Sequence, residues 1–164
     1  MQQACKVPGN CLSRAAGKRQ LRNKTYQNTG NMQKVINVKT HAREGLYDIT
    51  REVERIVGAS GFSSGTVNVY VRGATAAIMI QENWDESVQT DVINLLAKLV
   101  PRGVWLHDAQ DGNGDSHLKA GIIGPQETIP VINGKLALST WQNIFLCEFD
   151  GPREKREVVI TICG

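Results

Sequence analysis

His107 and His117 bracket a polar stretch that also holds Asp108, Asp111, Asn113 and Asp115. Imidazole nitrogens and carboxylate oxygens are the donors that zinc and other divalent ions take. Imidazole is also the acid–base group of neutral pH. Two imidazoles are only a partial set, because structural zinc uses four ligands and catalytic zinc three. On spacing alone a polar loop without metal is the simpler alternative. Asp111-Gly112-Asn113-Gly114-Asp115 has the look of a calcium loop, but Ser116 stands where its glycine belongs and Ile122 where its glutamate belongs, which excludes an EF-hand. A second candidate is Gln81-Glu82-Asn83-Trp84-Asp85. Glu82, Asn83 and Asp85 could orient a polar ligand or a metal; the simpler alternative is that Asp85 caps a helix and Glu82 is solvated. Trp141, followed by Gln142, could stack on a heteroaromatic ring, or it could be a core or interface residue. There is no phosphate loop, Gly-x-Gly-x-x-Gly, Gly-x-Ser-x-Gly or His-Glu-x-x-His.

The elements that must position these residues read as follows. Gln33–Thr40 is a strand. In Tyr47–Ser60, Ile49, Val53, Ile56 and Val57 share one helical face, with Asp48 as cap and Gly61 as terminator. Thr66–Arg72 alternates Val67, Val69 and Val71 against polar residues, a half-buried strand. The more apolar Ala74–Gln81 reads as a central strand. Glu86–Val100 is the clearest helix, with a stripe of Val88, Val92, Leu95, Leu96 and Leu99, Asp85 as N-cap and Pro101 as stop. His107–His117 reads as a loop and Lys119–Gly124 as a short apolar strand. Asn133-Gly134 predicts a tight hairpin between Thr128–Ile132 and Lys135–Leu138. Trp141–Phe149 is another strand, Asp150-Gly151-Pro152 a turn, and Arg156–Cys163 a last alternating strand. Two main helices among about eight strands imply an α+β fold with mostly antiparallel sheets.

The 164 residues are 41% hydrophobic and 21% charged, an ordinary globular balance. No apolar run is long enough to span a bilayer. Net charge is +3, yet residues 1–31 carry six positive charges and no acid, so the body is net negative by three. Nucleic-acid or membrane-surface binding would therefore rest on that segment alone, and a charge run is ordinarily just solvated. Residues 1–31 lack apolar periodicity and are expected to be a flexible basic extension outside the native domain, which spans 32–164. Cys5, Cys11, Cys147 and Cys163 show no Cys-x-x-Cys spacing; they read as small buried hydrophobes in a reducing cytoplasm.

An ordered set of segments carries a family resemblance. It runs through Val38-Lys39-Thr40 and Gly45-Leu46-Tyr47-Asp48-Ile49-Thr50, Thr75-Ala76-Ala77, Glu82-Asn83 with Asp85, and Ser116-His117-Leu118-Lys119-Ala120. It continues through Gly134-Lys135-Leu136, Thr140-Trp141-Gln142 and Glu148-Phe149-Asp150-Gly151-Pro152-Arg153. Residues 32–164 thereby resemble the secondary thiamine-phosphate synthase (YjbQ-like) family.

The resemblance implies a subunit that trimerises around a threefold axis and a weak activity joining an aminopyrimidine pyrophosphate to a thiazole phosphate. It implies a divalent ion, magnesium or zinc, to help the diphosphate leave. His107 and His117 would be metal or diphosphate ligands or acid–base groups; Glu82, Asn83 and Asp85 would assist, and Trp141 would shape the pocket. Three positions depart from the family pattern: Gly73 replaces a histidine, Pro125-Gln126 replaces small residues and serine, and Ser139 replaces a glycine. The alternative is a non-catalytic trimeric binding protein that has lost a site histidine.

Overall fold

Short runs of alternating β-branched residues form the strands of this chain, and the strands stack into two sheets. The computed structural model describes residues 30–164. The basic extension expected over residues 1–31, with Cys5 and Cys11, lies almost wholly outside the described residues. In chain order the elements are β1 (Met32–Val38), β2 (Gly45–Asp48), α1 (Thr50–Ser60), β3 (Ser64–Val71), β4 (Ala76–Glu82), α2 (Glu86–Leu99), a 3-10 turn (Leu106–Ala109), α3 (Gly114–Ile123), β5 (Gln126–Ile132), β6 (Lys135–Leu136), β7 (Gln142–Glu148) and β8 (Arg156–Cys163). No helix among the described residues is long and apolar enough to cross a membrane.

One sheet has the order β1-β8-β3-β5-β6, the other β2-β7-β4, and every pairing is antiparallel. The expected α+β class and antiparallel sheets are therefore observed. In the register of β3 on β8, Val67, Val69 and Val71 lie opposite Ile162, Ile160 and Val158, and all six are fully buried. They meet Ile78, Ile144 and Leu146 of the second sheet and Val53, Ile56 and Val57 of α1 in one core. The other face of the small sheet presents Ala77, Phe145 and Cys147 to Leu96 of α2 and Ala120 of α3, a second and smaller core. Burial pushes the Cys147 thiol up to about 12, because a thiolate there would lose its water. Cys163, by contrast, is exposed, which corrects the expectation that it is buried.

The hairpin at Asn133-Gly134 forms as expected, with φ of 52° and 74° at the two turn residues. Three expectations are corrected. Tyr47 and Asp48 end β2 rather than begin α1; Asp48 still serves the helix, since its Oδ1 accepts from the Thr50 N–H at 2.8 Å. β4 is an edge strand, not a central one: α3 packs against it, and the Ile78 N–H donates to the Gly124 carbonyl at the end of α3 at 3.1 Å. A third helix, α3, occupies the segment read as loop and short strand. Of its five buried positions, Gly114, Asp115, Ser116, Lys119 and Ala120, three are polar and one is glycine, so no apolar stripe announces it.

The two sheets are tied by one buried ion pair. Glu148, at the end of β7, is fully buried; Arg156 opens β8. Arg156 Nε donates to Glu148 Oε2 at 2.7 Å and Nη2 to Oε1 at 2.6 Å, while Nη2 also reaches Thr75 Oγ1 at 2.8 Å. The Asp150 N–H and the Thr40 hydroxyl complete the carboxylate's shell at 2.9 and 3.2 Å. Removing one partner leaves the other charge buried and unpaired. Arg156→Met should therefore cost about 3–5 kcal/mol in urea unfolding. Adding Glu148→Leu should recover only part of it, because the Asp150 N–H then loses its acceptor.

Candidate functional site

His107 and His117 do meet. The 3-10 turn is folded back onto the start of α3 by Asp108, whose Oδ2 accepts from the Trp105 N–H and whose Oδ1 accepts from the Gly114 N–H, both at 2.8 Å. Those contacts, Trp105 first, hold the Asp108 carboxyl below the usual aspartate range. A side chain at position 114 could not be tolerated, since a Cβ would lie 2.8 Å from Trp105 Cβ. The clamp brings the imidazoles edge to face with centroids 4.9 Å apart. Asp111 stands 3.9 Å from His107 Nε2.

Beside this pair is a cavity of about 430 Å³ lined by Tyr70, Gly73, Ala76, His117, Gly121 and Pro125. Two of the three departures from the family pattern, at positions 73 and 125, thus line the cavity of His117. Gly73 has φ 147°, a backbone geometry side chains rarely adopt, and a Cβ there would fall 2.7 Å from Arg156 Nη1.

Behind α3 runs a buried ion network that reading the sequence missed. Lys119, 1% exposed, donates to Glu44 Oε1 at 2.8 Å and Asp115 Oδ2 at 3.0 Å. Arg43 donates to Asp115 Oδ1 at 3.0 Å and faces Asp150, which also holds Arg153 at 2.6 Å. Three cations and three carboxylates balance, which is what allows a lysine to be buried. The four-residue spacing of Asp115 and Lys119 was the available signal, but it carries meaning only once the segment is known to be helical. The network also anchors α3, and with it His117.

The remaining candidates lie elsewhere. Asp85 is the N-cap of α2, accepting from the Ser87 N–H at 2.7 Å; the Ser87 hydroxyl first, and then this N–H, hold its carboxyl below the usual range. Glu82 pairs opposite Gln142 in the β4–β7 ladder. Asn83 donates to Asp48 Oδ2 at 2.7 Å and accepts from Gln89 Nε2 at 2.7 Å. Trp141 meets Trp84 edge to face at 4.7 Å, and both are exposed. Asn83 and Asp48 border a polar cavity of about 350 Å³ that also includes Ser139, the third departure. This cluster is at the carboxyl end of β4 and the histidine cavity at its amino end, roughly 20 Å apart at strand rise. The candidates therefore fall into two clusters at opposite ends of β4 within one chain.

The implied divalent ion does not fit one chain. The pair supplies two imidazoles, and among the described residues no group of three or more His, Cys, Asp or Glu side chains could hold a metal.

Residues 34–164 match the family described as UPF0047 protein YjbQ-like. The chain belongs to this family. The UPF0047 protein MJ1081 of Methanocaldococcus jannaschii is 42% identical over 127 residues, covering 77% of this chain and 91% of that protein. YugU of Bacillus subtilis, another UPF0047 protein, is 39% identical over 127 residues, covering 76% and 94%. Among solved structures, a YbjQ-like protein of Sulfolobus solfataricus P2 superposes with a TM-score of 0.80 at 37% identity, covering 82% of this chain and 98% of that one. A YjbQ/UPF0047 protein of Clostridium acetobutylicum gives 0.75 at 39%, covering 79% and 98%. The YjbQ-like fold expected from the sequence is thus established.

The Asp108 clamp has a pH signature. A carboxyl depressed in the fold stabilises above its unfolded value, and that contribution is lost as pH falls through the folded value. Hydrogen exchange of the Gly114 N–H, corrected for intrinsic rate, should therefore accelerate as pH drops below the ordinary aspartate range. Asp108→Ala should show the fast rate at every pH.

Proposed function

We propose that the face formed by His107 and His117 receives a phosphorylated small molecule and that the chain acts as a weak thiamine-phosphate-synthase-like enzyme. What supports this reading is the imidazole pair itself, 4.9 Å between centroids, with His117 lining a cavity large enough for a small substrate. In that reaction the thiazole nitrogen's lone pair forms a bond to the methylene carbon of the aminopyrimidine. The methylene C–O bond breaks, and its electron pair leaves with pyrophosphate. Charge builds on the departing diphosphate, so donors fixed beside it favour the transition state over the ground state. His107 and His117 are the donors so placed.

A second reading is favoured by Gly73. Its φ of 147° and Arg156 Nη1, 2.7 Å from where a Cβ would lie, set this backbone against the imidazole that the family pattern puts there. In this reading the protein binds the ligand without turning it over. Thiamine phosphate formation by the full chain, with both substrates and magnesium, separates the two. His107→Ala should lower turnover by about a hundredfold without shifting the melting temperature; unchanged turnover would remove His107 from the mechanism. Ligand binding by a wild-type protein that makes no product would favour the binding protein.

We propose further that the subunit works as a homotrimer in a reducing compartment such as the cytoplasm. Leu95 and Leu99 lie one turn apart on α2 and Leu118 and Ile122 one turn apart on α3, all exposed, so the stripe read as buried in α2 is half open. Apolar pairs of this kind are the material of self-association. Light scattering should give three times the chain mass, and Leu99→Glu should lower it to one; a wild-type monomer would overturn the assembly.

A further inference from the structure

We infer that Arg156 Nη1 and His117 form an oxyanion site for a phosphate group in the cavity at the amino end of β4. The inference rests on the reading of the histidine face as a phosphate-binding face and adds to it the group that fixes the anion. Arg156 is only 10% exposed in its side chain. Its Nε and Nη2 are consumed by Glu148 and Thr75, and among the described residues Nη1 has no hydrogen-bond partner. Glu148 and Thr75 also lock the guanidinium plane, so the free nitrogen is a preorganised donor rather than a flexible one.

Gly73 decides whether that donor is accessible. A Cβ at this position would lie 2.7 Å from Nη1 and crowd it, and glycine brings no such atom between Nη1 and the cavity that Gly73 lines. Gly73 and His117 line the same cavity of about 430 Å³. The volume exceeds that of an inorganic phosphate, which leaves space for the organic part of a phosphate ester or diphosphate. The replacement of the family's histidine by Gly73 thus removes one cationic donor and uncovers another. Phosphate suits the pair, because guanidinium and imidazole both donate in fixed directions to its several acceptor oxygens.

The test uses calorimetric titration of the full chain with inorganic pyrophosphate. Wild type should bind. Arg156→Lys keeps a cation for Glu148 but loses the fork, and should weaken binding about tenfold. That variant risks the sheet junction, so a second one avoids it. Gly121 lines the cavity on the outside of α3, and an added Cβ there meets nothing within 4 Å. Gly121→Glu should abolish binding by placing a carboxylate in the cavity, while Gly121→Ala should bind as wild type; melting temperatures confirm the fold of each. No binding by wild type, or undiminished binding by Gly121→Glu, overturns the inference. Binding lost in Gly121→Glu, with no thiamine phosphate made by wild type, supports the oxyanion site and rejects the synthase. Turnover undiminished in Gly121→Glu does the reverse.

Discussion

The structure depends on the buried pairing of Glu148 with Arg156. One residue ends the central strand of the small sheet and the other begins a strand of the large sheet, so the pair sits where the two sheets diverge. A charge taken from water is costly unless its partners are complete. For the Glu148 carboxylate they are: two bonds from the guanidinium, the Phe149 and Asp150 N–H groups and the Thr40 hydroxyl, while Thr75 takes a further bond from Arg156 Nη2. Hydrophobic contact alone would let the sheets slide. Directional bonds to Thr40 and Thr75 give the junction one geometry, and they bring the loops before β2 and β4 to the same place as the turn after β7.

The site inherits that geometry. The segment before β4 must pass directly over the guanidinium, and only a residue without a Cβ can do so at the observed φ. α3 then lies along β4 because its own polar face is neutralised by Arg43, Glu44 and Asp150, and the 3-10 turn is pinned to α3 by Asp108. The histidines are thus placed by polar contacts as well as by the packing of Ala120 in the second core. β4 acts as a rigid spacer, with the imidazoles at one end and the Trp84–Trp141 pair with the Asp48 carboxylate at the other.

Most of the fold could be read from spacing. The valines of β3, the alternation of β8, the Asn133-Gly134 hairpin, Gly61 ending α1 and Asp85 capping α2 are local signals, and each appears where its residues place it. α3 could not be read, because periodicity is scored on apolar residues and its buried face is Asp115, Ser116 and Lys119. The same polar character hid the ion network, for a lysine is expected outside unless its partners are known. β4 was misplaced for a related reason: apolar content reports burial, and a helix can bury a strand as well as a neighbouring strand can.

The sequence by itself determined most of the strands, helices α1 and α2, the antiparallel class, the family, and the residue types available for chemistry. These follow from neighbours a few positions apart, whose spacing is visible in the chain. Only the tertiary structure decided which of those residues meet. It joined His107 to His117, separated them from Asn83 and Trp141, and set Gly73 against Arg156, because contacts between residues 83 positions apart depend on how two sheets close on a single buried ion pair.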